Sequence, residues 1–188
     1  MSRQATRERL VQAAADLFYE GGIHQTGVNQ VIERAGLSKP TLYQHFRSKN
    51  DLVLAVLKRW AERREELLGE ILADEHRPPC DRLIATFQFF EDWFRQRDFR
   101  GCGLVNAATE IPSRDDPGRD LVSRHKAWMT RSLERLARQA DLREPKALAQ
   151  SLVLLIEGAT VTAYVQSSPG AGRVARRAAQ RLIESHRP

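Results

Sequence analysis

Three groups of residues in this chain have types and spacings that could do chemistry. Cys102, Glu110 and His125 supply a thiol, a carboxylate and an imidazole, the types that make a nucleophile, an orienting acid and a base. No spacing rule brings them together, and a cysteine commonly serves as a small buried residue, so no enzymatic activity is expected. His76 and Cys80 have the i, i+4 spacing of two metal ligands on a helix, but Pro78 and Pro79 interrupt it and no third ligand follows. Neither a metal nor another cofactor is expected. The third group is the run Ser38–Lys49, SKPTLYQHFRSK, which is polar and basic. Amides, hydroxyls and ammonium groups of this kind suit base edges and phosphates, because a Gln amide pairs with adenine, a Thr methyl meets the thymine methyl, and a cation at a helix N-terminus meets a phosphate.

That third group needs a helix to present it. Ser38 can cap a helix start, Pro40 is tolerated in a first turn, and Leu42 and Phe46 form an apolar stripe. Pro40, Thr41, Tyr43 and Gln44 then point away from the stripe, with Lys39 and His45 at its borders. Such a face could enter a DNA major groove, which is about 12 Å wide and admits one helix. Val28, Val31, Ile32 and Ala35 form a short helix just before it, ended by Gly36 in a left-handed conformation with Leu37 as the following apolar contact. A first helix over 6–20 carries Leu10, Val11, Ala14, Leu17 and Phe18 on one face, with Thr6 as its cap and Gly21-Gly22 as its stop. After the polar run, Ser48 caps a long helix with Asp51 in the capping-box position, and apolar spacing continues to Leu72, about 36 Å of helix.

The remainder reads as further helices over about 80–95, Leu104–Thr109, 119–140, 146–166 and 172–186, with turn-rich breaks between and no strand-like alternation. Ala147–Ser168 holds a single charge, Glu157, and apolar residues on more than one face. A surface helix needs one apolar stripe, so the excess predicts burial against its own domain and against a second subunit, hence a homodimer; the alternative is the central helix of a monomeric bundle. The aromatic residues Phe87, Phe90, Trp93, Phe94, Trp128 and Tyr164 read as core or as lining of an apolar pocket.

Composition sets the class. With 188 residues, 41% hydrophobic and 29% charged, the chain can bury a sizeable core. No uncharged apolar run reaches about 18 residues, and MSRQATRERL lacks the apolar centre of a signal peptide, so no membrane partner and a cytoplasmic location are expected. Two cysteines build no disulfide framework. The net charge is +6, of which residues 1–60 supply +4 through nine Lys/Arg against five acids; such a balance fits a nucleic-acid partner and would also attract membranes or acidic proteins.

The order helix, Gly21-Gly22, Thr26-Gly27-Val28, Ile32, Ala35-Gly36-Leu37-Ser38, Leu42-Tyr43-Gln44-His45-Phe46, Ser48-Lys49 and Leu52 resembles the DNA-binding domain of the tetracycline-repressor (TetR) family over about residues 6–57. The resemblance implies an all-α homodimer of about nine helices per chain. Residues 1–47 would form a three-helix helix-turn-helix domain, and residues 48–188 a larger ligand-binding and dimerisation domain. It places DNA contacts at Thr26, Ser38, Lys39, Pro40, Thr41, Tyr43, Gln44, His45 and Lys49. Gln44 and Thr41 would read bases, and Lys49, Tyr43 and His45 would anchor phosphates. Position 40 is often glycine in relatives and is proline here. The implied pocket takes Phe87, Phe90, Trp93, Phe94, Cys102, Asn106, Trp128 and Tyr164, and the implied interface of the last two helices takes Leu152, Leu155, Ile156, Ala159, Ala163 and Leu182. The function expected is a ligand-responsive regulator, a repressor holding a near-palindromic DNA operator and released by a small apolar effector of unknown identity. Its rivals are a helical interaction module that binds no DNA, and a regulator sensing redox state or electrophiles through the Cys102 thiol.

Overall fold

A computed structural model describes residues 2–113 and 115–188. Among the described residues the fold is all-α, with nine helices: α1 (Arg3–Gly21), α2 (Val28–Ala35), α3 (Lys39–His45), α4 (Lys49–Ala73), α5 (Pro79–Phe94), α6 (Gly103–Glu110), α7 (Pro117–Gln139), α8 (Pro145–Val165) and α9 (Gly170–Ser185). They group into two compact units, Met1–Glu62 with Cys102–Ser123, and Arg63–Gly101 with Arg124–Pro188. The packing therefore divides elsewhere than at residue 47/48. Leu52, Val53, Val56 and Leu57 of α4 share a core with Leu10, Val11 and Ala14 of α1, and Leu104 and Ala107 of α6 belong to that same core.

In the first unit the helix boundaries follow their caps. Ser2, one turn earlier than the expected Thr6, caps α1: its Oγ accepts from Ala5 N at 3.1 Å, while Thr6 Oγ1 donates to Ser2 O from inside the helix. Gly36 adopts φ +59, and the Leu37 N–H closes back on Ile32 O at 2.9 Å, the C-terminal motif expected from the sequence. At α4, Ser48 Oγ accepts from Asp51 N at 3.1 Å, but the Asp51 carboxylate accepts from Arg47 N rather than from Ser48 N. The capping box is displaced by one residue.

The second unit is built on α5, α8 and α9 with parts of α4 and α7, around Leu83, Phe87, Phe90, Leu133, Leu148, Leu152 and Ile156. Where α9 packs on α5, a Cβ on Gly172 would lie 2.7 Å from Glu91 Cα. The buried Glu91 carboxylate accepts from Arg176 Nε of α9 at 2.9 Å and also pairs with Arg95. By length and composition α8 is apolar enough to cross a bilayer. One of its faces, Leu148, Leu152, Ile156, Ala159 and Ala163, packs in the core, and Glu157 is paired with Lys126 at 2.6 Å.

Candidate nucleic-acid interface and associated sites

The presenting surface is made by α2 and α3. Leu42 and Phe46 are buried against the first unit's core, which leaves the opposite face of α3 outward, as the i, i+4 spacing requires. Ser38, Lys39, Pro40, Tyr43 and Gln44 are exposed, Tyr43 at 46%, and Thr41 and His45 are half-buried. Ser38 Oγ accepts from Thr41 N at 3.3 Å and lies 2.7 Å from Thr41 Oγ1. The Thr41 hydroxyl is thereby committed to the cap, leaving its methyl as the group available to a base. The sequence holds no carboxylate from Ser38 to Asn50, so the face carries positive or neutral groups only. Arg7 stacks over the Phe46 ring at 5.2 Å from its centroid, tying α1 to the end of α3.

Two of the expected contact residues also hold the turn between α1 and α2. Thr26 is 4% exposed, and its hydroxyl donates to Gly22 O at 2.8 Å, closing the turn between α1 and α2. Lys49 is half-buried with Nζ donating to Ile23 O at 2.5 Å, so its ammonium braces the same turn. Neither role carries a sequence signal, because both acceptors are main-chain carbonyls set by chain path. A groove of about 400 Å³ in this unit is lined by Arg9, Gln12, Asp16, Arg34 and Arg59 among others, and by none of the expected contacts.

The second unit redistributes the expected pocket. Phe87, Phe90 and Phe94 are 1%, 6% and 4% exposed and act as core. Trp93 is half-buried, edge-on to Phe99, and covered by the Arg64 guanidinium 3.8 Å from its ring centroid; the same guanidinium lies 5.1 Å from Phe89. Nothing in the sequence marks Arg64, because a charged residue on a long helix reads as solvated. Trp128 stacks on His125, whose Nδ1 lies 2.9 Å from Glu65 Oε1. Burial, opposed by that hydrogen bond, holds the His125 imidazole below its ordinary range. Cys102 and Asn106 belong to the first unit, and Tyr164 is 46% exposed. Of the nucleophile, acid and base considered above, the acid and the base are engaged with other groups: the Glu110 carboxylate accepts main-chain N–H groups of Ile23 and His24, and His125 faces Glu65. Among the described residues no cluster of three or more His, Cys, Asp or Glu could hold a metal.

The expected interface residues divide. Leu152, Ile156, Ala159 and Ala163 are buried inside the unit, and Leu155 and Leu182 are half-buried. The apolar residues that α8 leaves in solvent are Leu154, Val161, Tyr164 and Val165, joined by Val174 of α9. Beside them a groove of about 530 Å³ runs between α8 and α9, lined by Leu154, Leu155, Gly158, Arg173, Val174 and Arg177 among others. A helix apolar on both faces gives no periodicity from which to tell core from surface, so the expected set includes residues of both kinds.

Comparison with known proteins bears on both halves. Residues 10–56 match the family described as bacterial regulatory proteins, tetR family, and residues 79–179 match the tetracyclin repressor-like C-terminal domain. The chain is similar to the HTH-type transcriptional activator FasR of Mycolicibacterium smegmatis, 37% identical over 56% of this chain, and spans about half, 47%, of that relative's length. It is also similar to the HTH-type transcriptional repressor ComR of Escherichia coli, 28% identical over 84% of this chain and 79% of the relative. In structure it resembles a TetR-family transcriptional regulator from Streptomyces coelicolor, with a TM-score of 0.89, 25% identity, and coverage of 96% of this chain and 95% of that one.

Proposed function

Because the chain belongs to the TetR family of bacterial regulatory proteins, we propose that it is a ligand-responsive transcriptional regulator, a repressor that holds a near-palindromic operator as a homodimer and is released by a small apolar effector. The observation that carries this reading is the outward face of α3, polar, free of carboxylates and backed by the buried pair Leu42 and Phe46. Gln44 and the Thr41 methyl read base edges in the major groove, while Lys39, Tyr43 and His45 hold phosphates and Ser38 and Pro40 lie against the backbone. Residues 1–47 make the DNA contacts; residues 48–188 receive the effector and dimerise, and the protein acts in the cytoplasm.

Two copies meet through the exposed apolar faces of α8 and α9, Leu154, Val161, Val165 and Val174, which an isologous two-fold contact would cover. Half-sites on one face of the duplex are reached together only if the two recognition helices stand about 34–36 Å apart, or a multiple of that distance. An effector releases DNA by binding better to a conformation with another separation, with α4 as the element continuous between the DNA-contacting part and the rest. Half-buried Trp93 and Trp128 are the aromatic surfaces offered to an apolar effector.

The test is selection of duplexes from a random pool by the full chain, repeated with metabolite mixtures. Enrichment of a two-fold symmetric sequence, bound with affinity that falls steeply as salt rises, is the expected result. Absence of any salt-dependent duplex binding would leave the helical interaction module in its place.

A further inference from the structure

Glu110 ends α6, 87 and 86 residues along the chain from Ile23 and His24, yet both its side chain and its main chain meet the turn between α1 and α2. Its carboxylate accepts the Ile23 N–H at Oε1, 3.0 Å, and the His24 N–H at Oε2, 2.7 Å; its carbonyl lies 2.8 Å from His24 Nε2. From α4, Lys49 Nζ takes the Ile23 carbonyl. Two consecutive amides and one carbonyl of the turn are thus bound by charged side chains from two other elements, and charge-assisted bonds of this kind are the strong ones. Gly22 makes the approach possible: its φ is +87, and a Cβ there would stand 3.0 Å from Glu110 Oε1. Beyond the turn, Gln30 Oε1 accepts from Gly27 N at 2.6 Å and α2 begins, packed against α1 and α3.

We infer that Glu110 is a positioning residue for operator binding, fixing the α1–α2 turn so that α2 and α3 are set before DNA arrives. The inference rests on the regulator reading above. A turn of Gly22 to Gly27 with a glycine at each end has many conformations of its own, and ordering it only on contact would subtract from affinity. The sign of the effect separates this role from simple charge. Glu110 is acidic, so removing its charge from a chain of net +6 should by electrostatics alone tighten DNA binding. The positioning role demands the reverse.

The experiment measures duplex affinity of the full chain by fluorescence anisotropy across a salt series for wild type, Glu110→Gln, Glu110→Asp and Lys39→Ala, using the selected duplex. Glu110→Gln keeps the shape but turns an NH₂ toward one of the two amides, and is expected to lose affinity by about tenfold with the salt slope unchanged. Lys39→Ala, a contact variant, should lower the slope by about 1. Glu110→Asp retains the charge and should keep more of the affinity than Glu110→Gln. Hydrogen exchange at the Ile23 and His24 amides should speed up in Glu110→Gln while helix content is unchanged. Affinity of Glu110→Gln within about twofold of wild type, or tighter, overturns the inference. Loss of folding in both Glu110 variants overturns it too, since Glu110 would then be a requirement of the unit's stability. Failure of the wild type to bind any duplex is a failure of the regulator reading and is seen before any variant is made.

Discussion

Gln44 offers a primary amide from the exposed face of α3 and Lys39 an ammonium from its first turn, and the two should fail in different ways when removed. Gln44→Ala should cost about 1–3 kcal/mol of discrimination at one base position while affinity for other duplexes holds. Lys39→Ala should weaken all duplexes alike, and a binding matrix over single-base operator variants tells the two apart. His125 supplies a second prediction at this scale. Its burial lowers the imidazole below the ordinary 6.5, so the unfolded chain takes up a proton where the folded chain does not. The stability is complete above that ordinary value and is lost as pH falls from it through the folded value. Melting temperatures at about pH 7.5 and about pH 5.5 should therefore drop more for wild type than for the non-titrating His125→Gln. The exposure of Tyr43 and Gln44 was legible because it is the geometric complement of Leu42 and Phe46. The engagement of Thr26 and Lys49 was not, because a main-chain carbonyl accepts from any donor that chain path brings to it and leaves no residue pattern.

At the level of elements, helix positions followed from apolar spacing and from caps at Ser38, Gly36 and Ser48, and the boundaries of α2 to α9 fell within a few residues of the sequence reading. α8 shows where that method stops. Its apolar excess was visible, but with Leu152 and Ile156 on one face and Leu154 and Val161 on another, composition alone could not say which face looked inward. The α5–α9 contact rests on a glycine instead. Gly172→Ala places a methyl 2.7 Å from Glu91 Cα and 3.0 Å from Phe94 Cδ2, and a main-chain atom cannot swing aside. The helices must separate, at a cost of about 1–3 kcal/mol by comparison with other overpacked sites. Thermal unfolding should show it as a fall of roughly 2–4 °C per kcal/mol.

The whole molecule carries its charge and its exposed apolar surface in different places: +4 of the +6 lies in residues 1–60, and the most exposed large hydrophobic residues, Leu154 at 71% and Val165 at 72%, lie on α8. Under the dimer proposal, Leu154→Asp with Val165→Asp should give a monomer by sedimentation equilibrium and keep its helical content. Operator affinity should then fall by orders of magnitude, because a single half-site is held without the second. The membership of residues 102–123 in the first unit was the part of the architecture hidden from the sequence, since the contacts of Glu110 with Ile23 and His24 join residues that no local pattern relates. It also sets an order of events during synthesis. Domains generally fold as they leave the ribosome from the N-terminus onward. Here the N-terminal helices emerge first, yet the partner that closes the turn after α1 is translated only after all of α4 and α5. A nascent chain stalled before residue 110 should therefore bind operator poorly, and the window in which a half-made copy could occupy the operator would be narrow.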